Sequence, residues 1–200
     1  MLAKIYSAGL LGIEAFTIDI ETDVGLGLPA YNLVGLPDNA VREGFVRVRA
    51  AMENAGFPIP PRRITINLAP ADVRKDGAAF DLPIALSLLL ALDMIPADAL
   101  DGCLCLGELG LDGSVRRVVG ALPVALHARR AGFRRLVLPA ACAAEASLVQ
   151  PLSLCPVTSL GQAVAVLRKE VQGYHLWPSA QLSSLSQVYK GRAPVPSAQR

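Results

Sequence analysis

The segment VRKDGAAFD, Val73 to Asp81, carries four residues of types that can do chemistry: Lys75, Asp76, Gly77 and Asp81. A lysine can activate a neighbouring hydroxyl nucleophile when the two groups come within hydrogen-bond reach. The available serine, Ser87, lies ten residues past Gly77, inside an apolar run. Its hydroxyl is expected to bond back to a helix carbonyl rather than face Lys75. Gly77 permits a sharp backbone turn, and Asp81 is placed to cap the helix that follows. The segment therefore reads as a tight loop holding a buried helix to a sheet. An anion site at that helix N-terminus is the alternative. Asp76 and Asp81 would repel a phosphate, and the glycine density of a phosphate-binding loop is missing.

Other chemistries have less to stand on. No G-x-x-x-x-G-K-[ST] occurs in the 200 residues, so the chain as given lacks the phosphate cradle of a P-loop. Cys103, Cys105, Cys142 and Cys155 include no C-x-x-C pair, and His127 and His175 lack zinc-ligand spacing to them. The thiols are expected to be buried and free, with Cys103 and Cys105 on one face of a strand. Basic residues form two groups. One is Arg116, Arg117, Arg129, Arg130, Arg134 and Arg135, with His127, in a stretch free of acids between Asp112 and Glu145. The other comprises Arg42, Arg47, Arg49, Arg62, Arg63, Arg74 and Lys75, diluted by Glu43, Glu53, Asp72 and Asp76. A basic face can guide DNA through phosphate contacts. Solvated arginines, or arginines pairing with a neighbouring subunit, are the plainer reading. The net charge of +2 gives no general attraction to nucleic acid or membrane. Aromatics are too few and too far from the arginines for a single-strand stacking platform.

These residues need elements to position them. Residues 2–24 read as two strands joined near Gly9–Gly12, followed by a short strand around Ala30–Val34 and a turn at Gly35–Pro37. Asp38 is a candidate N-cap for a helix whose stripe is Val41, Phe45, Val48, Met52 and Ala55, ended by Gly56 and the prolines Pro58, Pro60 and Pro61. RITINL, residues 63–68, is a strand. Asp81 opens a second helix with Pro83 in its first turn, and Ile84 to Leu92 is apolar on nearly every side. CLCLGELGLDGSV predicts a hairpin turning at Asp112–Gly113. A helix from about Gly120 to Arg130, a strand RRLVLP, a loop over Ala140–Ala146, a weak strand LVQPLSL and a helix from Ser159 to Arg168 complete the series. Residues 171–200, rich in Ser, Gln and Pro, read as a linker or extension in which Tyr174, His175, Trp177 and Tyr189 stand out. The element order predicts an α/β or α+β sandwich, with helices packed on one mixed sheet.

Three segments carry a resemblance. YNLVGLPDNAVREGFVRVRAAMENAGFPIPPRRITINLAPADVRKDGAAFDLPIALSLLLA, then LGELGLDGSVRRVVGALP, then ARRAGFRRLVLP, are similar to the N-terminal domain of the ComM/YifB family. These are bacterial magnesium-chelatase-like AAA+ proteins, and GLPD, INLAPAD and DLPIAL in this order are specific to them. The resemblance covers roughly residues 1–170. It implies the fold of the Lon proteolytic domain and of domain 2 of ribosomal protein S5. It also implies an accessory module preceding a hexameric motor that binds ATP and magnesium. The best-described member of the family is a helicase driving branch migration of DNA during natural transformation. The Lon motif runs approximately Pro-Lys-Asp-Gly-Pro-Ser-Ala-Gly. Lys75, Asp76 and Gly77 match it, but Ala79 stands at the serine position and Leu122 at the lysine position. The resemblance thus implies no peptidase dyad and no cofactor in this chain. The implied partners are the motor domain of the same protein and further copies in a hexamer, with direct DNA contact left open.

With hydrophobic residues at 52% and charged residues at 18%, the chain can build a real core. The longest uncharged apolar run, Leu82 to Leu92, is well short of the roughly 20 residues a spanning helix needs. With no secretory signal at the N-terminus, a cytoplasmic location without membrane contact is expected.

Overall fold

The computed structural model describes residues 2–169; the extension at 171–200, with Tyr174, His175, Trp177 and Tyr189, lies outside the described residues. The chain opens with a hairpin of β1 (Leu2–Leu11) and β2 (Glu14–Gly25). Ile18, Ile20, Thr22 and Val24 of β2 point into the core, and the intervening Asp19, Glu21 and Asp23 point to the other face, as the two-residue strand period requires. β3 (Ala30–Val34), α1 (Asn39–Asn54) and β4 (Arg63–Ala69) follow, with β3 parallel to β4 and β4 antiparallel to β2. Then come α2 (Asp81–Ala91), β5 (Cys103–Cys105), a small hairpin of β6 (Glu108–Leu109) and β7 (Val115–Arg116), and α3 (Ala121–Arg130). β8 (Arg135–Pro139), α4 (Ala143–Ala146), β9 (Ser153–Val157) and α5 (Leu160–Leu167) complete the described chain. The seven-stranded sheet has the order β3-β4-β2-β1-β5-β8-β9. Within it only β2 runs against its neighbours, so the sheet is mixed, as expected.

Helices cover both faces. On one face α1, α2 and α5 meet Ile18, Ile20, Ile64, Ile66 and Leu68. On the other, α3 and α4 meet Ala8, Leu104, Leu136 and Leu138. Cys103 and Cys105 enter the first layer and Leu104 the second, so the two thiols do share a face. All of α2 from Asp81 to Ala91 is buried, which an apolar surface on every side demands. Each fully buried leucine there contributes on the order of 1.5–3 kcal/mol. α3 reaches Ala15 and Thr17 at the start of β2, and beyond them the second face carries charged and amide side chains of β1, β2 and β4. There Lys4 is paired to Asp19 at 2.7 Å and Asn67 donates to Glu21 at 3.0 Å.

Three local expectations change. The predicted hairpin from Cys103 to Val115 splits: β5 is a buried parallel strand between β1 and β8, and the hairpin is β6 with β7 around Asp112–Gly113. Residues Ala140–Ala146, expected as a loop, form a 3-10 turn and then α4. The last strand starts at Ser153 rather than Leu148, because Pro151 has no N–H to give a ladder and Leu148 faces solvent. The Ser159 cap is as read: its hydroxyl accepts from Gln162 N–H at 3.1 Å.

α3 is tied to the sheet by a 2.8 Å hydrogen bond between Thr17 Oγ1 and His127 Nε2. Burial, helped by the neighbouring Arg130 charge, lowers the His127 pKa from its ordinary value. A base whose folded pKa is depressed stabilises the fold above its unfolded pKa, about 6.5, and loses that contribution as pH falls through the folded value. Wild-type protein should therefore lose stability between about pH 7 and pH 5 relative to His127→Gln. Urea melts of both proteins across that range check this; parallel curves would count against it.

Candidate functional site

The motif loop between β4 and α2 is held by the turn that precedes α1. Gly35, at φ 92°, lies so close to the Leu68 carbonyl that no Cβ fits. Past it, Lys75 N–H donates to the Leu36 carbonyl at 3.3 Å and Asp38 N–H donates to the Lys75 carbonyl at 3.0 Å. The Asp38 carboxylate then caps α1 through Val41 N–H at 2.8 Å, as its position before the apolar stripe predicts. The Lys75 side chain is only 1% exposed, and its ammonium donates to the Pro70 carbonyl. Burial lowers its pKa, with the Asp72 charge opposing. Lys75 and Ser87 do not pair. Ser87 Oγ donates to the Ile84 carbonyl at 2.8 Å and lies 2.7 Å from Thr22 Oγ1, which is the back-bond expected of it.

Asp81 does not cap α2. Gly77, at φ 87°, leads into a 3-10 turn over Ala78–Phe80, and that turn supplies the carbonyl that takes the Asp81 N–H. Leu82 N–H goes to the Gly107 carbonyl at 2.9 Å. With the helix-end donors already satisfied, the Asp81 carboxylate turns sideways. It accepts from Arg47 Nε at 2.9 Å, from Arg47 Nη2 at 3.2 Å and from Leu109 N–H at 3.3 Å. The pair joins α1, α2 and β6. Burial pushes the Asp81 carboxyl above its ordinary range, against the pull of Arg47 and the Leu109 N–H. Sequence reading missed this pair, because Arg47 sat among solvated arginines and only the fold brings it 34 residues along the chain to Asp81.

Beside the loop lies a cleft of about 330 Å³ at the C-terminal ends of β1 and β5. Ala8, Gly9, Leu10, Gly77, Ala79 and Val118 form its apolar walls, and Arg74, Asp76, Glu108 and Arg117 its polar ones. Among the described residues that line it there is no serine, threonine, cysteine, histidine or lysine. Ala79 thus lines a real concavity. Leu122 packs with it against the second core layer, and the Leu122 N–H donates to Glu145 Oε1 at 3.0 Å. Asp76 pairs with Arg74 at 2.8 Å on the rim. Of the thiols, Cys103, Cys105 and Cys142 are buried, and burial pushes Cys155 up to about 11.

The family description Subunit ChlI of Mg-chelatase matches residues 20–142, which run from β2 through the motif loop and both positions just described. The chain belongs to this magnesium-chelatase-like family. Some of its relatives carry the ComM and YifB names. The competence protein ComM of Haemophilus influenzae is 44% identical over 148 residues, 74% of this chain and 29% of ComM. The YifB protein of Escherichia coli is 42% identical over 136 residues, 68% of this chain and 27% of YifB. An uncharacterized protein of Mycobacterium tuberculosis is 42% identical over 167 residues, 84% of this chain and 33% of the relative. The chain spans about a third of the length of the curated relatives it matches.

The first arginine group of this magnesium-chelatase-like chain is not one patch. Arg116 and Arg117 sit at the cleft end of the sheet and face acids, Glu108 at 3.5 Å and Glu145 at 3.7 Å. α3 then carries the chain back, so Arg129, Arg130, Arg134 and Arg135 gather at the opposite end. Two of these four are spoken for: Arg129 donates to the Gln150 carbonyl at 2.8 Å and Arg135 to the Ala99 carbonyl at 3.0 Å. Among the described residues no helix is long and apolar enough to cross a membrane.

Truncating one partner of a buried ion pair strands the other charge, so Asp81→Asn should cost about 2–3 kcal/mol, less than a wholly buried pair because Arg47 reaches solvent. Gly44→Ala should weaken the same contact, because the new methyl would stand 2.5 Å from Asp81 Oδ1. Denaturant melts of the single and double variants read both effects, and strict additivity would deny the shared contact.

Proposed function

We propose that this chain is a non-catalytic accessory module of a ComM/YifB-type AAA+ ATPase, working by contact rather than by covalent chemistry. The observation that carries this reading is the composition of the cleft. A concavity stands at the motif loop, yet Ala79 occupies the position where a nucleophile would be needed, no hydroxyl, thiol, imidazole or amine is among the described residues lining it, and its two carboxylates, Asp76 and Glu108, are paired with Arg74 and Arg116. The charged members of the motif are engaged within the fold, Lys75 with Pro70 and Asp81 with Arg47. On this reading ATP and magnesium belong to a motor domain of the same cytoplasmic protein. Further copies assemble with it as a hexamer, and helicase-driven branch migration of DNA in natural transformation is its work. The second reading is a direct nucleic-acid contact, favoured by the gathering of Arg129, Arg130, Arg134 and Arg135 at one end of the sheet.

Removing residues 1–170 from the full-length protein should weaken hexamer formation or DNA unwinding while leaving the motor folded. A truncated motor with unchanged assembly and unwinding would sink the proposal. Titrating the 200-residue chain with branched and single-stranded DNA at two salt concentrations separates the second reading. Binding that falls steeply with salt supports it, and no binding at low salt removes it. A serine-reactive probe should leave the chain unlabelled; labelling would return the peptidase reading.

A further inference from the structure

The sheet treats its two edges differently. An edge strand presents unpaired N–H and C=O groups, and proteins ordinarily blunt it with proline, charge or a covering segment. β9 holds Pro156, which has no N–H to offer, and the chain beyond it is bonded over by Val115 N–H to the Thr158 carbonyl at 2.8 Å. β3 reads Ala-Tyr-Asn-Leu-Val, with no proline and no charge, and it ends the sheet.

The free groups on that edge can be assigned. Ala30 N–H donates inward to the Arg62 carbonyl at 3.4 Å. Backbone groups alternate along a strand, so Asn32 and Val34 also face β4, and the N–H and C=O of Tyr31 and Leu33 face outward. The side chains of Tyr31 and Leu33 share the α1 side, opposite Ile64 and Ile66. Tyr31 packs on Phe45 of α1 with ring centroids 4.7 Å apart. Arg42 closes a groove of about 190 Å³ beside them. Leu28 is 87% exposed and Val46, on the outward side of α1, 70%.

We propose that this edge pairs with a second copy of the chain, β3 against β3 in antiparallel register, about a two-fold axis through Asn32. The outward groups are symmetric about that residue. Tyr31 of one copy and Leu33 of the other form a hydrogen-bonded pair exchanging two bonds, and the axis repeats it. Asn32 meets its own copy in the closer, non-bonded pair. Large apolar side chains then oppose each other, and no like charges do. α1 follows the same axis. It joins the parallel strands β3 and β4, so it runs against them, and the two α1 helices lie antiparallel across the interface. Each brings both signs of charge, Arg42 beside Glu43, both exposed. An acidic peptide would answer Arg42 but meet Glu43, whereas a second copy answers both. A stable pair buries about 800 Å² per partner, more than one short strand provides, so the outward stripe of α1 through Val46 and Arg49 is part of the contact.

Sedimentation equilibrium of the 200-residue chain should show a dimer that dissociates on dilution. Asn32 is exposed, so Asn32→Asp leaves the monomer fold unchanged, checked by its melting curve. It places like charges on the axis and should weaken the dimer by about tenfold or more, with partial recovery at high salt. Asn32→Cys should form an intermolecular disulfide under mild oxidation, since the non-bonded pair brings the Cα atoms to about 4.5 Å. A chain that is monomeric even at millimolar concentration overturns the proposal. So does a dimer indifferent to Asn32→Asp, or one in which Asn32→Cys fails to cross-link.

Discussion

A buried carboxylate fixes how α2 can lie in this molecule. An ionised group out of water must find partners, or the element carrying it will not stay buried. Asp81 is 1% exposed and finds three donors, two on Arg47 and one at Leu109. Those donors come from α1 and β6, so the demand of one charge sets the packing of α1 on α2 and the position of the small hairpin. Gly44 belongs to the same constraint, because only a residue without a side chain lets α1 approach the carboxylate so closely. The apolar remainder of α2 supplies most of the burial energy but is nearly uniform around the helix. It says little by itself about which way the helix faces.

The cleft inherits its shape from that arrangement. The motif loop is anchored at one end through Lys75, Leu36 and Pro70, and at the other through the Gly107 contacts and Asp81. What lies between, Gly77 to Ala79, forms one wall of the concavity. Lys75 and Asp81 are engaged in holding the loop, whereas Asp76 pairs with Arg74 on its rim. The rim charges are largely matched, Arg74 with Asp76 and Arg116 with Glu108. The motif loop thus borders a recess with apolar walls at Ala79 and Val118 and charged ones at Arg74, Asp76, Glu108 and Arg117.

Much of this was legible beforehand. Local signals with short-range causes were reliable: Asp38 and Ser159 cap their helices, the two-residue alternation of β2 finds its buried face, and the even apolarity of Ile84 to Leu92 marks a core helix. Ser87 bonding back to Ile84 is of the same kind, a contact three residues long. Readings failed where a distant segment competed. Asp81 looked like a cap because its position is a capping position, but the Ala78 and Gly107 carbonyls had already taken the helix-end donors. Cys103–Cys105 looked like half of a hairpin because a turn follows, but parallel pairing with β1 and β8 claims it.

The sequence by itself determined most of the element types and the mixed α/β class. These depend on side-chain identity and on periods of two or 3.6 residues, which are written in neighbouring positions. Only the tertiary structure decided that Arg47 belongs to Asp81, that six arginines close in sequence divide between opposite ends of a sheet, and that β3 is left as an open edge. Each of those depends on which distant segments become neighbours. That is set by the packing of whole elements, and no local pattern of residues encodes it.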